Sequence, residues 1–192
     1  MVKERLEFIT KQHKDLLLAK ENLHEVIDDM ETKMKKQFLY NFNNINEKFS
    51  EVFSILFNGG KASLVLEDED NVLTCGIEIK VQPPGKKLQN LNLLSGGEKS
   101  LTAVALLFAI LKVKPTPFCI LDEIDAALDE ANISRYTNYL KNFSDNTQFI
   151  MITHRKSTME MADILYGVTM EEEGISKIVS VKLTDNLEGI AS

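Results

Sequence analysis

The first 58 residues contain neither proline nor glycine, so nothing in them interrupts a helix. Within this stretch Val2, Leu6, Ile9, His13, Leu16, Lys20, Leu23, Ile27, Met30 and Met34 recur in alternating steps of four and three. That spacing is a heptad seam, with His13 and Lys20 as polar interruptions. Met30, Met34 and Phe38 are four apart in succession, a stutter. The seam resumes through Phe42, Ile45, Phe49, Val52 and Leu56, now largely aromatic. A continuous helix over residues 2–56 would be about 80 Å long, longer than a small domain is wide. The change from aliphatic to aromatic positions predicts two environments, a coiled coil over 2–34 and the same helix packed on a globular domain over 38–56. An ordinary helical hairpin is the alternative. A coiled coil needs a partner strand, and no second segment of similar length follows. The partner is expected from another chain or from a part of this one outside the sequence, and Met1 opening directly into heptads suggests a cut segment.

The formal charge is −7, with 22 basic and 29 acidic residues among 192. An acidic balance argues against nucleic-acid binding by the whole surface, though not against a local basic patch. Cys75 and Cys119 lie far apart in apolar surroundings and read as buried free thiols of a reducing compartment. His13, His24 and His154 show no ligand spacing with them. The N-terminus lacks the apolar core of a signal peptide, and the apolar run Leu101–Leu111 is too short to span a bilayer. A cytoplasmic location is expected.

Beyond Gly59-Gly60 the period changes to two. "KASLVLEDED" predicts a half-buried strand, Asp68 to Asn71 an acidic hairpin turn, and "VLTCGIEIKV" the return strand, with Cys75, Ile77, Ile79 and Val81 on one face. Pro83-Pro84-Gly85 stops it. "LTAVALLFAIL" is apolar nearly all round and predicts a buried helix. "FCILD" and "TQFIMIT" read as buried parallel strands, with an amphipathic helix over 130–143 between them. Residues 156–162 read as helix. "ILYGVTM" and "ISKIVSVKL" read as closing strands around Glu173-Gly174. Strand, helix, strand implies a right-handed crossover with reactive groups at the carboxyl ends of the strands.

Four motifs fall at those ends. In "LSGGEKS" Ser95 is placed to cap the buried helix. Gly96 and Gly97 leave its first amides uncovered, and such amides bind anions. Ser95 and the two glycine amides would then touch a phosphate; a plain helix cap is the alternative. "CILDE" resembles a Walker B motif. Asp122 would hold Mg²⁺, directly or through water, and Glu123 would orient or deprotonate an attacking water; a solvated acidic strand end is the alternative. "DAALDE" offers Asp129 as a helix cap. His154 follows the second strand directly, where it could hydrogen-bond a γ-phosphate or serve only the structure. The order and spacing of the four match the second half of an ABC-type ATPase. No G-x-x-x-x-G-K-[ST] occurs anywhere in the chain, so nothing here grips a triphosphate.

These motifs, with "LFNGGKASL", "GIEIKVQPPGKKLQNLNLLSGGEKSLTAVALLFAI", "PTPFCILDEIDAALDEAN", "TQFIMITHRKSTMEMAD" and "LYGVTMEEEGISK", resemble the bacterial SMC (structural maintenance of chromosomes) family over the whole chain. The resemblance is to the C-terminal half of the ABC-type ATPase head. It implies an α/β lobe over 38–192, a parallel sheet with flanking helices plus an antiparallel β-hairpin, preceded by a long coiled-coil helix over 1–37. It implies ATP and Mg²⁺ as ligands, with the Walker A lysine supplied by an N-terminal half of the same head. Asp122 becomes the Walker B aspartate, Glu123 the catalytic glutamate and His154 the switch histidine. Ser95, Gly96 and Gly97 become the signature contacts to ATP on a second head, in an ATP-dependent homodimer. Asp129 belongs to the D-loop at the head–head interface. Further implied partners are the C-terminal winged-helix domain of a kleisin subunit and, at the level of the full complex, DNA. Implied roles are condensation, segregation and cohesion of chromosomes, in a nucleoid-associated cytoplasmic setting with no membrane. Two other readings stay open: a non-catalytic docking module when isolated, and a head fragment of a DNA-repair ABC-type ATPase, against which the PPGKK and GVTM segments argue.

Overall fold

A breaker-free run of good helix formers should propagate once nucleated, and helix α1 runs unbroken over Val2–Phe57. The computed structural model describes residues 2–144, 147–172 and 174–182. Leu6, Ile9, Leu16, Leu23, Ile27, Met30 and Met34 are all exposed. An apolar stripe left in water is the pattern of a coiled-coil strand without its mate. The helix stops where Asn58 takes a left-handed φ of 57° and Gly59 one of 122°. The Gly59 N–H closes the end by donating to the Ser54 carbonyl at 2.7 Å. Gly60 follows at φ 85°, and a Cβ there would run into the Gln82 carbonyl oxygen, so only glycine fits.

The chain divides into two units. One holds α1 up to Asn44 together with Val65–Glu78; the other holds Ile45–Leu64 and the chain from Ile79 onward. In the first, the Asp68 carboxylate accepts the N–H groups of Asp70 at 2.9 Å and Asn71 at 3.3 Å and the Asn71 side-chain amide at 2.7 Å. The Asn71 carbonyl then collects the amides of Thr74 and Cys75, each at 3.0 Å. These local bonds outcompete a ladder, so the return strand β2 covers only Ile77–Gln82 and not the residues from Val72. Cys75 sits in the turn. It and Cys119 are both free and half-buried rather than buried.

A three-stranded sheet orders β1 (Lys61–Leu66), β2 and β3 (Gln89–Asn90). The Asn46 side chain acts as a surrogate ladder partner: it takes the Leu64 N–H at 2.7 Å and gives to the Leu64 carbonyl at 3.2 Å. A 3₁₀ turn, Leu91–Leu93, leads into α2 (Gly96–Val113). Then come β4 (Phe118–Asp122), α3 (Glu130–Phe143), β5 (Gln148–Ile152), the single turn α4 (Lys156–Met159), β6 (Ile164–Glu172) and β7 (Ile175–Lys182). The expected helix over 156–162 is thus one turn long. β4 and β5 pair in parallel from Phe118 opposite Gln148 to Asp122 opposite Ile152. β6 and β7 form an antiparallel ribbon. Gly174 lies at its turn with φ 79°, and Glu173 and Leu183 lie outside the described residues.

The core gathers Phe49, Val52, Phe53 and Leu56 of α1 with Leu101, Ala105 and Phe108 of α2 and Ile133 and Tyr136 of α3, all fully buried. Phe108 is its hub, with ring centroids 5.0 Å from Tyr139, 5.6 Å from Phe143 and 6.1 Å from Phe149. Besides Asn46, further polar ties hold α1 to the lobe: Lys112 pairs with Glu51 at 2.7 Å, and Arg135 donates to the Leu56 carbonyl at 3.3 Å.

The parallel strands are covered on one face only, contrary to the expectation of fully buried strands. Leu121 and Phe149 face the core, whereas Phe118 is 56%, Ile120 59%, Ile150 47% and Ile152 53% exposed. Both helices that contact the pair, through Phe108 and Phe143, lie on the Phe149 side, and among the described residues nothing covers the other. Phe108→Ala would remove the hub of the aromatic cluster, and it is expected to cost about 3–5 kcal/mol, read as a loss of unfolding free energy in urea titrations.

Candidate functional site

The end of β4 is built by one irregular residue. Glu123 has a left-handed φ of 48°, uncommon for a residue with a Cβ. Its N–H still donates to the Ile152 carbonyl at 2.9 Å, extending the β4–β5 ladder by one rung while the chain turns away. Asp122 precedes it as the last strand residue, exposed and opposite Ile152. Two residues past Ile152, His154 brings its Nδ1 to 3.8 Å from Glu123 Oε1, both side chains being well exposed. The strand register therefore brings Glu123 and His154 together, with Asp122 as the strand-end residue before them. Glu123 can accept a proton or hold a water, and His154 beside it can donate a hydrogen bond.

The Ser95–Gly97 turn is the second element. Ser95 is the N-cap of α2, and with Glu98 it forms a reciprocal capping box. The Ser95 N–H and Oγ–H donate to Glu98 Oε2 at 3.1 and 2.8 Å, and the Glu98 N–H donates to Ser95 Oγ at 3.4 Å. Lys86 completes the cluster at 2.7 Å from Glu98 Oε1. Chiefly through that bond, it holds the Glu98 carboxyl below the usual carboxylate range. Space around Gly96 is open, while a Cβ at Gly97 would stand 3.3 Å from the Ala127 carbonyl. The two glycines thus leave the first amides of an 18-residue helix uncovered, the geometry that receives anions. They also let the 126–129 loop approach. Among the described residues, no hydrogen bond or ion pair joins the Ser95–Gly97 turn to Asp122, Glu123 or His154.

Asp129 caps α3, accepting the Asn132 N–H at 2.8 Å. The loop before it is fastened by residues that motif reading passed over. Asp125 is 1% exposed, and its Oδ2 accepts the hydroxyls of Thr153 at 2.7 Å and Thr158 at 2.6 Å. Arg155 donates to the carbonyls of Ala126 at 2.8 Å and Leu128 at 3.0 Å. The role of Glu98 was readable, since Ser-x-x-Glu ahead of an apolar run marks a capping box. No local signal marks Lys86, Thr158 or Arg155, whose partners are distant in sequence.

Among the described residues, no group of three or more His, Cys, Asp or Glu side chains is arranged to hold a metal ion. Asp122 alone suits Mg²⁺, which keeps phosphate oxygens and waters for most of its ligands and needs only one or two carboxylates.

A family model described as RecF/RecN/SMC N terminal domain matches residues 5–177. The chain belongs to the RecF/RecN/SMC family. Within it, the chain is 58% identical to the chromosome partition protein Smc of Bacillus subtilis (strain 168) over 187 residues, 97% of this chain and 16% of that protein. It therefore spans about one sixth of the curated SMC relatives' length. Solved SMC heads share the fold. One is the Smc head domain with an extended coiled coil from Pyrococcus furiosus, bound to the C-terminal domain of ScpA. It superposes with a TM-score of 0.76 at 42% identity, covering 95% of this chain and 46% of that one. A chain from structural work on ATP-driven dimerization and DNA-stimulated activation of SMC ATPases gives a TM-score of 0.71 at 46% identity, covering 78% of this chain and 90% of that one. Among the described residues of this SMC-family chain, no helix is long and apolar enough to cross a membrane.

Glu98→Gln, which removes the charge but keeps the shape, is expected to cost about 1 kcal/mol at pH 7. Because folding lowers the Glu98 pKa, its contribution is present above the ordinary value of 4.5 and fades as pH falls through the lower, folded one. The gap between wild type and variant in urea denaturation should therefore close in acid.

Proposed function

We propose that this chain is the C-terminal half of an SMC ATPase head, residues 38–192, with coiled coil over 1–37. The observation that carries the reading is a hydrolytic corner without a triphosphate grip. Asp122, Glu123 and His154 converge at the ends of β4 and β5, while the sequence holds no G-x-x-x-x-G-K-[ST]. The grip is then supplied by a separate N-terminal half. The bare face of Phe118, Ile120, Ile150 and Ile152 supports this, since a parallel sheet is ordinarily covered on both sides. So does the order of the chain, a long helix running into the lobe, and this order is why we assign the C-terminal half.

Mg²⁺-bound ATP would supply the electrophilic γ-phosphate. Asp122 would hold the metal, directly or through water. Glu123 would orient the attacking water and take its proton. His154 would hydrogen-bond the γ-phosphate on the Glu123 side. Ser95 and the Gly96 and Gly97 amides would face ATP held by a second head, and Asp129 would lie in the D-loop at that interface. The chain alone is then inactive, and turnover needs both halves and two heads. ScpA-bound Smc heads among the similar structures support a kleisin C-terminal winged-helix domain as a further partner. The names of the curated relatives support a role in chromosome partition, with DNA engaged by the full complex. A cytoplasmic, nucleoid-associated setting follows.

Mixed with its N-terminal half, the chain should hydrolyse ATP. Glu123→Gln should lower turnover by about 10²–10⁴-fold while engaged heads accumulate in crosslinking; undiminished turnover in that variant would sink the catalytic assignment. Ser95→Arg should abolish head engagement and leave ATP affinity within each head unchanged. Calorimetry on the chain by itself should show no tight Mg²⁺-dependent ATP binding.

A further inference from the structure

Among the described residues, the loop between β4 and α3 has its long-range side-chain ties on one short segment, Thr153–Ser157 and the Thr158 that follows. The Asp125 carboxylate, 1% exposed, is shared by the Thr153 and Thr158 hydroxyls. The Thr153 hydroxyl in turn accepts the Arg155 N–H at 3.0 Å, so His154 is bracketed by two residues of one network. The Arg155 guanidinium reaches back with one nitrogen to two carbonyls, Ala126 at 2.8 Å and Leu128 at 3.0 Å, and with the other lies 3.6 Å from Glu130 Oε1. Ser157 adds a bond to Glu130 Oε2 at 3.0 Å. Bonds from a charged donor are stronger than neutral ones, and the rigid guanidinium fixes direction as well as distance. Arg155 Nε is buried with no hydrogen-bond partner among the described residues, so the short bonds of the guanidinium are the two that Nη2 gives to the loop carbonyls.

We infer that Arg155 is a positioning residue that fastens the 126–129 loop to the strand end bearing His154, so that displacement of the loop is transmitted to the His154–Glu123 pair. This inference rests on the proposed reading of Glu123 and His154 as hydrolytic groups. Three features make the transmission physical. The loop touches the turn of α2 where a Gly97 Cβ would meet the Ala127 carbonyl. Its far end caps α3 through Asp129. The connection that leads into it from β4 begins at Glu123, held in a left-handed conformation, where a change in the backbone alters the direction of the carboxylate. Asp125 supplies the buried anchor, and Arg155 supplies the second link, through the Nη2 bonds that end on the loop's own carbonyls.

The test uses the full-length SMC protein that contains this segment, with Arg155→Ala, Arg155→Lys and Glu123→Gln. Arg155→Ala is expected to lower kcat for ATP by about 10²-fold, the scale of a misplacement of about 1 Å, while KM and ATP-dependent head crosslinking stay within about twofold. Arg155→Lys should recover only part of kcat, since an ammonium on a flexible stem lacks the rigid plane that aims one nitrogen at the two carbonyls and the other at Glu130. Hydrogen exchange at the amides of residues 126–129 should quicken in Arg155→Ala, with β4 and β5 unchanged. Unaltered exchange, or altered exchange with unaltered kcat beside an inactive Glu123→Gln, would overturn the coupling alone. Loss of KM, crosslinking and thermal stability together would make Arg155 a packing residue and equally overturn it. A wild-type protein without turnover, or full turnover in Glu123→Gln, would instead strike down the hydrolytic reading.

Discussion

One backbone hydrogen bond organises the corner where β4 and β5 end. The Glu123 N–H donates to the Ile152 carbonyl, although Glu123 has already left strand geometry for a left-handed turn. Parallel pairing fixes Asp122 opposite Ile152, so His154, two residues on, must emerge beside Glu123. Neither side chain needs to find the other through its own contacts; at 3.8 Å and well exposed, they barely interact. The sheet places them, and left-handed backbone of this kind, of order 1–3 kcal/mol, is kept only where the surroundings enforce it. Here the surroundings are the ladder on one side and the Asp125 anchor on the other.

The split between covered and bare faces gives this lobe its character. Phe108, Phe143 and Phe149 close one side of the strand pair with tilted and edge-on rings. On the other, Phe118, Ile120, Ile150 and Ile152 stand in water. An apolar patch of this kind marks a contact surface. The heptad stripe of α1 is bare in the same way. Composition alone, at 44% hydrophobic, does not tell a buried residue from one that waits.

Periodicity made most elements legible. The missing breakers gave α1 almost to the residue, and the amphipathic spacing over 130–143 gave α3. Alternation failed at residues 72–75, where Asp68 and Asn71 satisfy the backbone locally before a strand can form. It failed again at β4 and β5, whose continuous apolar runs imply two buried faces although only one is covered. Of the candidate site, the capping serine was readable because its partner Glu98 lies three residues on, and the strand-end carboxylates because they directly follow an apolar run. Lys86, Arg155 and Thr158 were not, because their roles exist only once residues 12, 27 to 29 and 33 positions away are folded beside them.

The capping box at Ser95 has a consequence for recognition. Glu98 already seats a negative charge on the Ser95 N–H and hydroxyl, the same donors a phosphate oxygen would seek. The helix end thus carries its own anion. Gly96 and Gly97 keep their amides clear, so on the phosphate reading an incoming phosphate meets them first, and the serine hydroxyl can follow only by exchanging one carboxylate for another anion. Binding by exchange gains less than binding to an empty donor, because the bond made replaces a bond lost. A contact of that kind is suited to letting go.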